Sequence, residues 1–373
     1  MGKKRKRKAK KLEQARAYEA AQSTPARRVP IGSSNSQDAA ADAGLLGVRN
    51  FARWFDENHD VVGGILDELV KNVIGPGVVT IPKPLNPDGS IDEAFGVALM
   101  EEWLRWTRRC DVTGELTWND AQRLIGRSWM RDGEEFIQHV QGRARGYPFA
   151  PSETPYRIEL LESDMVPHDL NENGYRQGIR HDTWRRPLSY AVYLEHPGDH
   201  MAYSGLGIGA TDWKTLPAEQ VTHVKLAKRW PATRGVSVLA NVITRLYDIK
   251  DLEESERIKD RILASWAAVV TKSPDFAGHE DADAAGRRFM GMFQGTVIDS
   301  LSVGESIEGV GADYPVANMP EHIADQLGRV ASGTGTRYSS ISKHYEGSYS
   351  ALRQEMVEST GHYKMREDYF VAH

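Results

Sequence analysis

The sequence predicts an α+β protein in which helices and short strands occupy separate stretches of chain. Three patterns predict it. Apolar residues recur at helical spacing over residues 49–73 and 91–132. They alternate with polar ones in short runs over 134–226. A helical pattern free of Pro and Gly then runs from Val236 to about Val270. With 373 residues, 40% hydrophobic and 27% charged, the chain can bury one large or two medium cores.

Residues 1–44 carry no periodic apolar pattern. Pro25, Pro30 and the stretch IGSSNSQDAAADAG read as a disordered segment, with room for a short helix over Leu12 to Ala21. The segment opens with Lys3, Lys4, Arg5, Lys6, Arg7, Lys8, Lys10 and Lys11 and no acid, whereas the rest carries 39 Lys or Arg against 52 Asp or Glu. A basic arm is therefore attached to an acidic body. Such an arm can contact nucleic-acid phosphates without sequence preference. It can equally be a solvated tail or a nuclear signal. The acidic body suits a passage through which DNA slides, because like charges repel.

Regular structure is expected from about Leu45. Phe51, Trp54 and Phe55, then Val61, Ile65, Leu66, Leu69, Val70 and Val73, mark two helical pieces, the second capped by Asn58 or Asp60. Gly75-Pro76-Gly77 ends them, and Val78 to Ile81 reads as a strand. Ile91 to Arg109 is a helix with Trp103 and Trp106 on one face. Trp118 to Asp132 is another, with Thr117 as cap and Gly133 as stop. Trp54, Trp103 and Trp129 lie on apolar faces and are expected to be buried. EFIQHV, YRIELLE, GIRHD, LSYAVYLEH and VTHVKL then read as strands, broken by turns such as NENG and PGD.

From Val236 onward the helical pattern would extend roughly 50 Å. Its centre, DIKDLEESERIKDR, is heavily charged. Such a helix either lies on one globular core or packs beside copies of itself; the second reading is favoured, with Glu253-Glu254 left in water. Beyond it, SPDFAGHEDADAAG is loop-like, GTVIDSLSVGESIEGV has strand character, Glu321 to Val330 is a short helix, SGTGTRYSSIS is rich in Gly and Ser, and the chain ends on a charged helical pattern. No apolar run approaches the roughly 20 residues that span a bilayer, and no secretory signal is visible. The lone Cys110 offers neither a disulfide nor a zinc cluster and suits a reducing cytoplasm.

A search for chemistry yields no catalytic, cofactor-binding or metal-ligating set. The twelve histidines show no HExxH spacing. Gly205 to Ala210 (GLGIGA) lacks the GK[ST] ending of a phosphate loop, and SGTGT lacks the lysine. The pairs Glu101-Glu102, Glu134-Glu135 and Glu253-Glu254 read as solvated charge, since adjacent helical residues point about 100° apart. Arg108 and Arg109 could lower the Cys110 pKa, but a nucleophile also needs a positioned base. The sequence thus points away from an enzyme.

The order of short motifs is more informative than any one of them. Arg49-Asn50 leads to ILDELVKNVIGPG. Trp103-x-x-Trp106 and Asp111-x-x-Gly114 follow, then Arg131-Asp132-Gly133-Glu134-Glu135-Phe136. Next come Ile158 to Asp164 (IELLESD), Gly178 to Asp182 (GIRHD), Arg186 to Tyr190 (RPLSY) and His196-Pro197-Gly198-Asp199. Val221-Thr222-His223-Val224 precedes Arg229 to Val236 (RWPATRGV), and Leu301-x-x-Gly304-Glu305 and Tyr349 to Arg353 (YSALR) close the series. This series resembles the lambda-type portal family of tailed bacteriophages over about residues 45–371.

The resemblance implies a structural ring protein, commonly twelve-fold, at the capsid vertex of the virion, assembled in the bacterial host cytoplasm. It implies partners: the terminase large subunit, major capsid and scaffold proteins, head–tail connector proteins, and double-stranded DNA in the channel, with no membrane and no cofactor. It also implies a portal-like division into a basic arm (1–44), a helical and β-rich wing (45–234), a long stem helix (235–272), a small clip-like or second stem region (273–315) and a return to the wing (316–373). Family members continue past YSALR through more wing and often a crown, so the stop at Phe370-Val371-Ala372-His373 reads as a truncation. The competing expectation is a non-enzymatic nucleic-acid-binding protein acting through its arm.

Overall fold

The computed structural model describes residues 35–142, 149, 154–199, 212–265, 269–272, 305–308, 319–345 and 347–373. Four helices open it: α1 (Gln37–Asn58), α2 (Asp60–Val73), α3 (Glu93–Trp106) and α4 (Trp118–Asp132). Seven strands follow: β1 (Glu134–Gln141), β2 (Tyr156–Leu161), β3 (Tyr175–Arg176), β4 (Ile179–His181), β5 (Pro187–Tyr193), β6 (Trp213–Pro217) and β7 (Val221–Lys225). Helix α5 (Ile243–Ser265), strands β8 (Val269–Lys272) and β9 (Glu305–Glu308), and helices α6 (Met319–Thr334), α7 (Tyr338–Ser342) and α8 (Tyr349–Ala372) follow among the described residues. It is the mixed helix-and-sheet architecture the sequence predicts. No helix among the described residues is long and apolar enough to cross a membrane.

The layering follows from strand periodicity. One sheet runs β2-β1-β7 and another β3-β4-β5-β6, with antiparallel pairing throughout. Successive side chains of a strand point to opposite faces. In β1, Ile137 therefore joins the helical core of Phe55, Leu66, Ile125, Trp129 and Leu239. Its neighbour Phe136 joins Ile179, Tyr190, Val192 and Leu216 between the two sheets. The layers are helices, first sheet, second sheet, and β1 sits in the middle. Glu134 lies on the Phe136 side and Glu135 on the Ile137 side, both buried.

Several expectations need correction. The amino-terminal segment does not run unstructured to residue 44: α1 begins at Gln37, with the Ser36 side chain accepting from Ala39 N at 3.2 Å. Long-range bonds from Asp38 hold it, a signal that local composition does not carry. Residues 1–34, the basic arm and its suggested helix included, lie outside the described residues. Neither Asn58 nor Asp60 caps α2; His59 holds that position without a side-chain bond. Val78 to Ile81 forms no strand: Val78 N donates to the Gln122 side chain at 2.7 Å, and Val79 and Ile81 stay exposed. Thr117 caps α4 and Gly133 ends it at φ 94°, as expected.

The stem helix is shorter than the pattern suggested. Ser237 starts a 3-10 turn over Val238–Asn241, α5 covers 23 residues from Ile243, and Val269–Lys272 pairs with β9. Two local causes explain this. Gly235 is pressed against the Gly133 carbonyl, so the backbone there is fixed by packing. At the far end the β-branched run Val269-Val270-Thr271 suits a strand once a partner exists. Trp129 is buried and stacks on Tyr369 at 5.4 Å, and Trp103 is partly buried on Trp106 at 5.0 Å. Trp54 is 42% exposed, contrary to expectation. The Lys250 ammonium covers its ring at 4.5 Å, a cation–π contact that needs no core.

Candidate functional site

The turn from α4 into β1 brings Asp132, Glu134 and Glu135 into the middle of the fold, because Gly133 reverses the chain between them. Glu134 is fully buried and accepts four hydrogen bonds. Arg49 donates at 2.9 Å and Arg234 Nε at 2.7 Å to Oε1. His223 Nε2 and the Gly235 backbone N–H each donate at 2.9 Å to Oε2. Arg234 spends its other nitrogens on the carbonyls of Val166, Gln177 and Ser163, at 2.8–3.1 Å, and its guanidinium lies over the Phe136 ring at 5.3 Å. Arg49 bridges on to Asp164 at 2.7 Å. Arg53 joins Asp164 to Asp132, and Arg131 returns to Asp132 at 2.9 Å. One network thus ties α1, α4, β1, β7 and the loops after β2 and β7.

Its electrostatics follow from the partners. Burial alone would raise the Glu134 pKa, but the Arg234 charge, the His223 bond and Arg49 outweigh it and hold the carboxyl far below the usual range. Burial lowers His223 to about 4 against the pull of Glu134, so the ring is neutral and Nε2 must carry the proton it donates. Glu135 behaves oppositely. Burial, with the neighbouring charges of Asp132 and Glu162, pushes it well above the usual carboxylate range, so it keeps its proton to higher pH than an ordinary carboxyl. Adjacent acids on one strand are therefore pushed in opposite directions, and the expectation that Glu134-Glu135 is solvated is overturned. Alternation placed them in two cores, each with its own compensation.

The arrangement is a lock. Every atom of the Glu134 carboxylate is occupied, which leaves none to accept a proton from a substrate or to attack one. Glu162, Asp164 and His196 bring ligand atoms within 4.8 Å of one another, yet Asp164 is already bound by Arg49 and Arg53, which supply the positive charge a cation would bring. A cavity of about 400 Å3 opens beside the network, lined by Arg176, Arg185, Tyr190, His223, Lys225 and Trp230 among others. Cys110 is buried, and burial together with Asp111 pushes its thiol up to about 12. Arg108 and Arg109 do not activate it, contrary to the sequence reading.

The family model for phage portal protein, lambda family, matches residues 26–367. The chain belongs to the lambda family of phage portal proteins. A relative named "Probable portal protein", from Halomonas phage phiHAP-1, is 23% identical over 324 residues, 82% of this chain. The chain spans 59% of that relative's length. Among solved structures, a chain of the virion of the native gene transfer agent (GTA) particle aligns with TM-score 0.48 and 11% identity, covering 82% of this chain and 71% of its own. A chain of the neck of the native GTA particle, computed with C12 symmetry, aligns with TM-score 0.47 and 13% identity over 83% and 74%.

The motifs that carry the family resemblance converge on the network. Arg49, Arg131-Asp132-Gly133-Glu134, Ser163-Asp164, His223 and Arg234-Gly235 are distant in sequence and bonded in space. Their spacing in the sequence does not show that they meet. The available signal was the repetition of charged residues inside otherwise apolar motifs. The predicted nucleic-acid contacts Lys3, Lys4, Arg5, Lys6, Arg7, Lys8, Lys10 and Lys11 lie outside the described residues, as does Gly205 to Ala210. Glu101, Glu253 and Glu254 are exposed as expected, and Glu102 is partly buried. In the SGTGT segment Thr334 and Thr336 bond each other at 2.8 Å.

Proposed function

We propose that the chain is the subunit of a homo-oligomeric portal ring at a capsid vertex, through which double-stranded DNA is packaged and ejected. The observation that carries the reading is the lambda-family match over residues 26–367. Residues 45–234 and 316–373 act as the wing, 235–272 as the stem, and 273–315 as the clip-like region that meets the terminase large subunit. Capsid, scaffold and head–tail connector proteins dock on the outer surfaces. The exposed apolar side chains of Ile91, Phe95, Val97 and Leu104 suit such contacts. The charge network supports this reading physically, because a ring under packaging load needs subunits whose layers do not slide. The acidic excess outside the arm keeps DNA from sticking. The protein works in the virion after assembly in the host cytoplasm.

Mass measurement of the purified full chain tests this. An assembly near twelve copies of the 41.7 kDa chain is expected. A stable monomer that binds duplex DNA through residues 3–11 would refute the ring and favour a nucleic-acid-binding protein acting through its arm.

A further inference from the structure

Two surfaces of opposite character sit at the two ends of α1. At its start, Asp38 accepts from Thr233 N at 2.7 Å and lies 3.3 Å from Arg176 and 3.7 Å from Arg185. Arg229 donates to the Asn35 carbonyl at 2.9 Å. These bonds gather the loops Trp184-Arg185-Arg186 and Arg229-Trp230 around the cavity beside the charge network. Trp184 and Trp230 are 82% and 81% exposed. Arg176, Arg185, Arg186 and Arg229 face two carboxylates, Asp38 and Asp182, so the surface keeps net positive charge.

At the other end of α1, Lys250 of α5 donates to the Asn58 carbonyl at 2.8 Å and covers Trp54. Leu246 and Ile249 turn one face of α5 into the core, which leaves the far face open, with Lys250 at its border, four residues before Glu254. Tyr247, Asp251, Glu254 and Ile258 follow i, i+4, i+7, i+11 spacing, so they share one stripe, and all four are exposed. The stripe is two acids bracketed by an aromatic and an aliphatic side chain, with the exposed Arg261 beyond its carboxy-terminal end. The 22 residues of α1 put the two surfaces about 33 Å apart.

A ring of identical subunits needs two different, complementary patches on opposite sides of each copy. We propose that the Trp184/Trp230 and arginine surface of one copy docks the Asp251–Glu254 stripe of the next copy. The proposal rests on the ring reading and adds the contact that closes it. Exposed Trp and Arg are the side chains that anchor interfaces when buried, and opposite charge sets the register of approach. The contact is heterologous, so it propagates around a ring without pairing two copies face to face.

Charge reversal on the full-length chain tests it, read by mass photometry over a concentration and salt series. Arg185→Glu/Arg186→Glu and Asp251→Arg/Glu254→Arg should each raise the concentration for half-assembly by about tenfold or more, and the four-fold combination should restore most of the loss. Trp184→Ser/Trp230→Ser, which removes no core packing, should weaken assembly similarly; thermal melting checks that each variant is folded. Wild-type assembly should weaken as salt rises. One-sided reversals that are folded and assemble like wild type, or a combination no better than either side, would overturn the contact while leaving the ring. Absence of any wild-type assembly would overturn both. Loss of duplex DNA binding in the arginine variant with assembly intact would assign the surface to DNA and overturn the proposal.

Discussion

Glu134→Gln is the perturbation that bears most directly on the charge network. The substitution keeps the shape and removes one negative charge between Arg49 and Arg234, which are 1% and 0% exposed. The new amide oxygen can still accept from one edge. The amide nitrogen then faces donors on the other. Neutral His223 can switch tautomer and accept, but the Gly235 N–H cannot. The variant therefore leaves two buried guanidinium groups under-compensated and one buried backbone donor unpaired. Breaking a buried ion pair from one side costs about 3–5 kcal/mol. Chemical denaturation at pH 7, followed by far-UV circular dichroism, measures the loss. Arg329→Ala serves as control, because its pair with Asp325 is exposed on both sides and is worth about 1 kcal/mol at most. A Glu134→Gln loss no larger than the control would refute the lock.

Three further outcomes are expected. Folded-state pKa values of Glu134 and His223 are both depressed, so their contribution is present above the unfolded values of 4.5 and 6.5 and is lost as pH falls. Glu135 is raised and contributes in the opposite sense, its stabilisation fading as pH rises above 4.5. Glu135→Gln should therefore match wild type at pH 4 and melt higher at pH 8, and a variant that melts lower at pH 8 would contradict the assignment. Trp129→Ala should cost about 3–5 kcal/mol, whereas Trp54→Ala, at a half-exposed ring, should cost markedly less; denaturation midpoints compare them. Deleting residues 2–11 should remove most salt-sensitive duplex binding, which the eight cations of the arm would supply, and leave assembly unchanged in a filter-binding and mass series; undiminished binding would show that the body holds DNA.

Where local chemistry decides structure, the fold was legible in sequence. The Thr117 cap and Gly133 stop delimit α4 because each acts within one turn. Five of the seven described strands between Glu134 and Lys225 were legible because apolar and polar residues alternate along them, whereas the two-residue β3 and the short β6 carry too little pattern to be read. Legibility failed where a distant partner decides. Val78 to Ile81 has strand composition but gives its first N–H to Gln122 instead. Gln37 to Gly44 has the composition of a linker and becomes helix because Thr233 closes on Asp38, 195 residues away. The same cause hid the charge network. Glu134-Glu135 looks like any acidic pair until β1 is placed between two layers, and Arg49 and Arg234 are then its nearest cations. The family resemblance compensated in part, since it drew attention to those motifs for a reason unconnected with packing.

The ring itself is the central claim, and imaging tests it without averaging assumptions. Negative-stain microscopy of the purified full-length chain, classified without imposed symmetry, should show annular particles with a central stain-filled hole and a rotational repeat near twelve. Uniform particles without a hole, at concentrations where mass measurement finds a single copy, would contradict it.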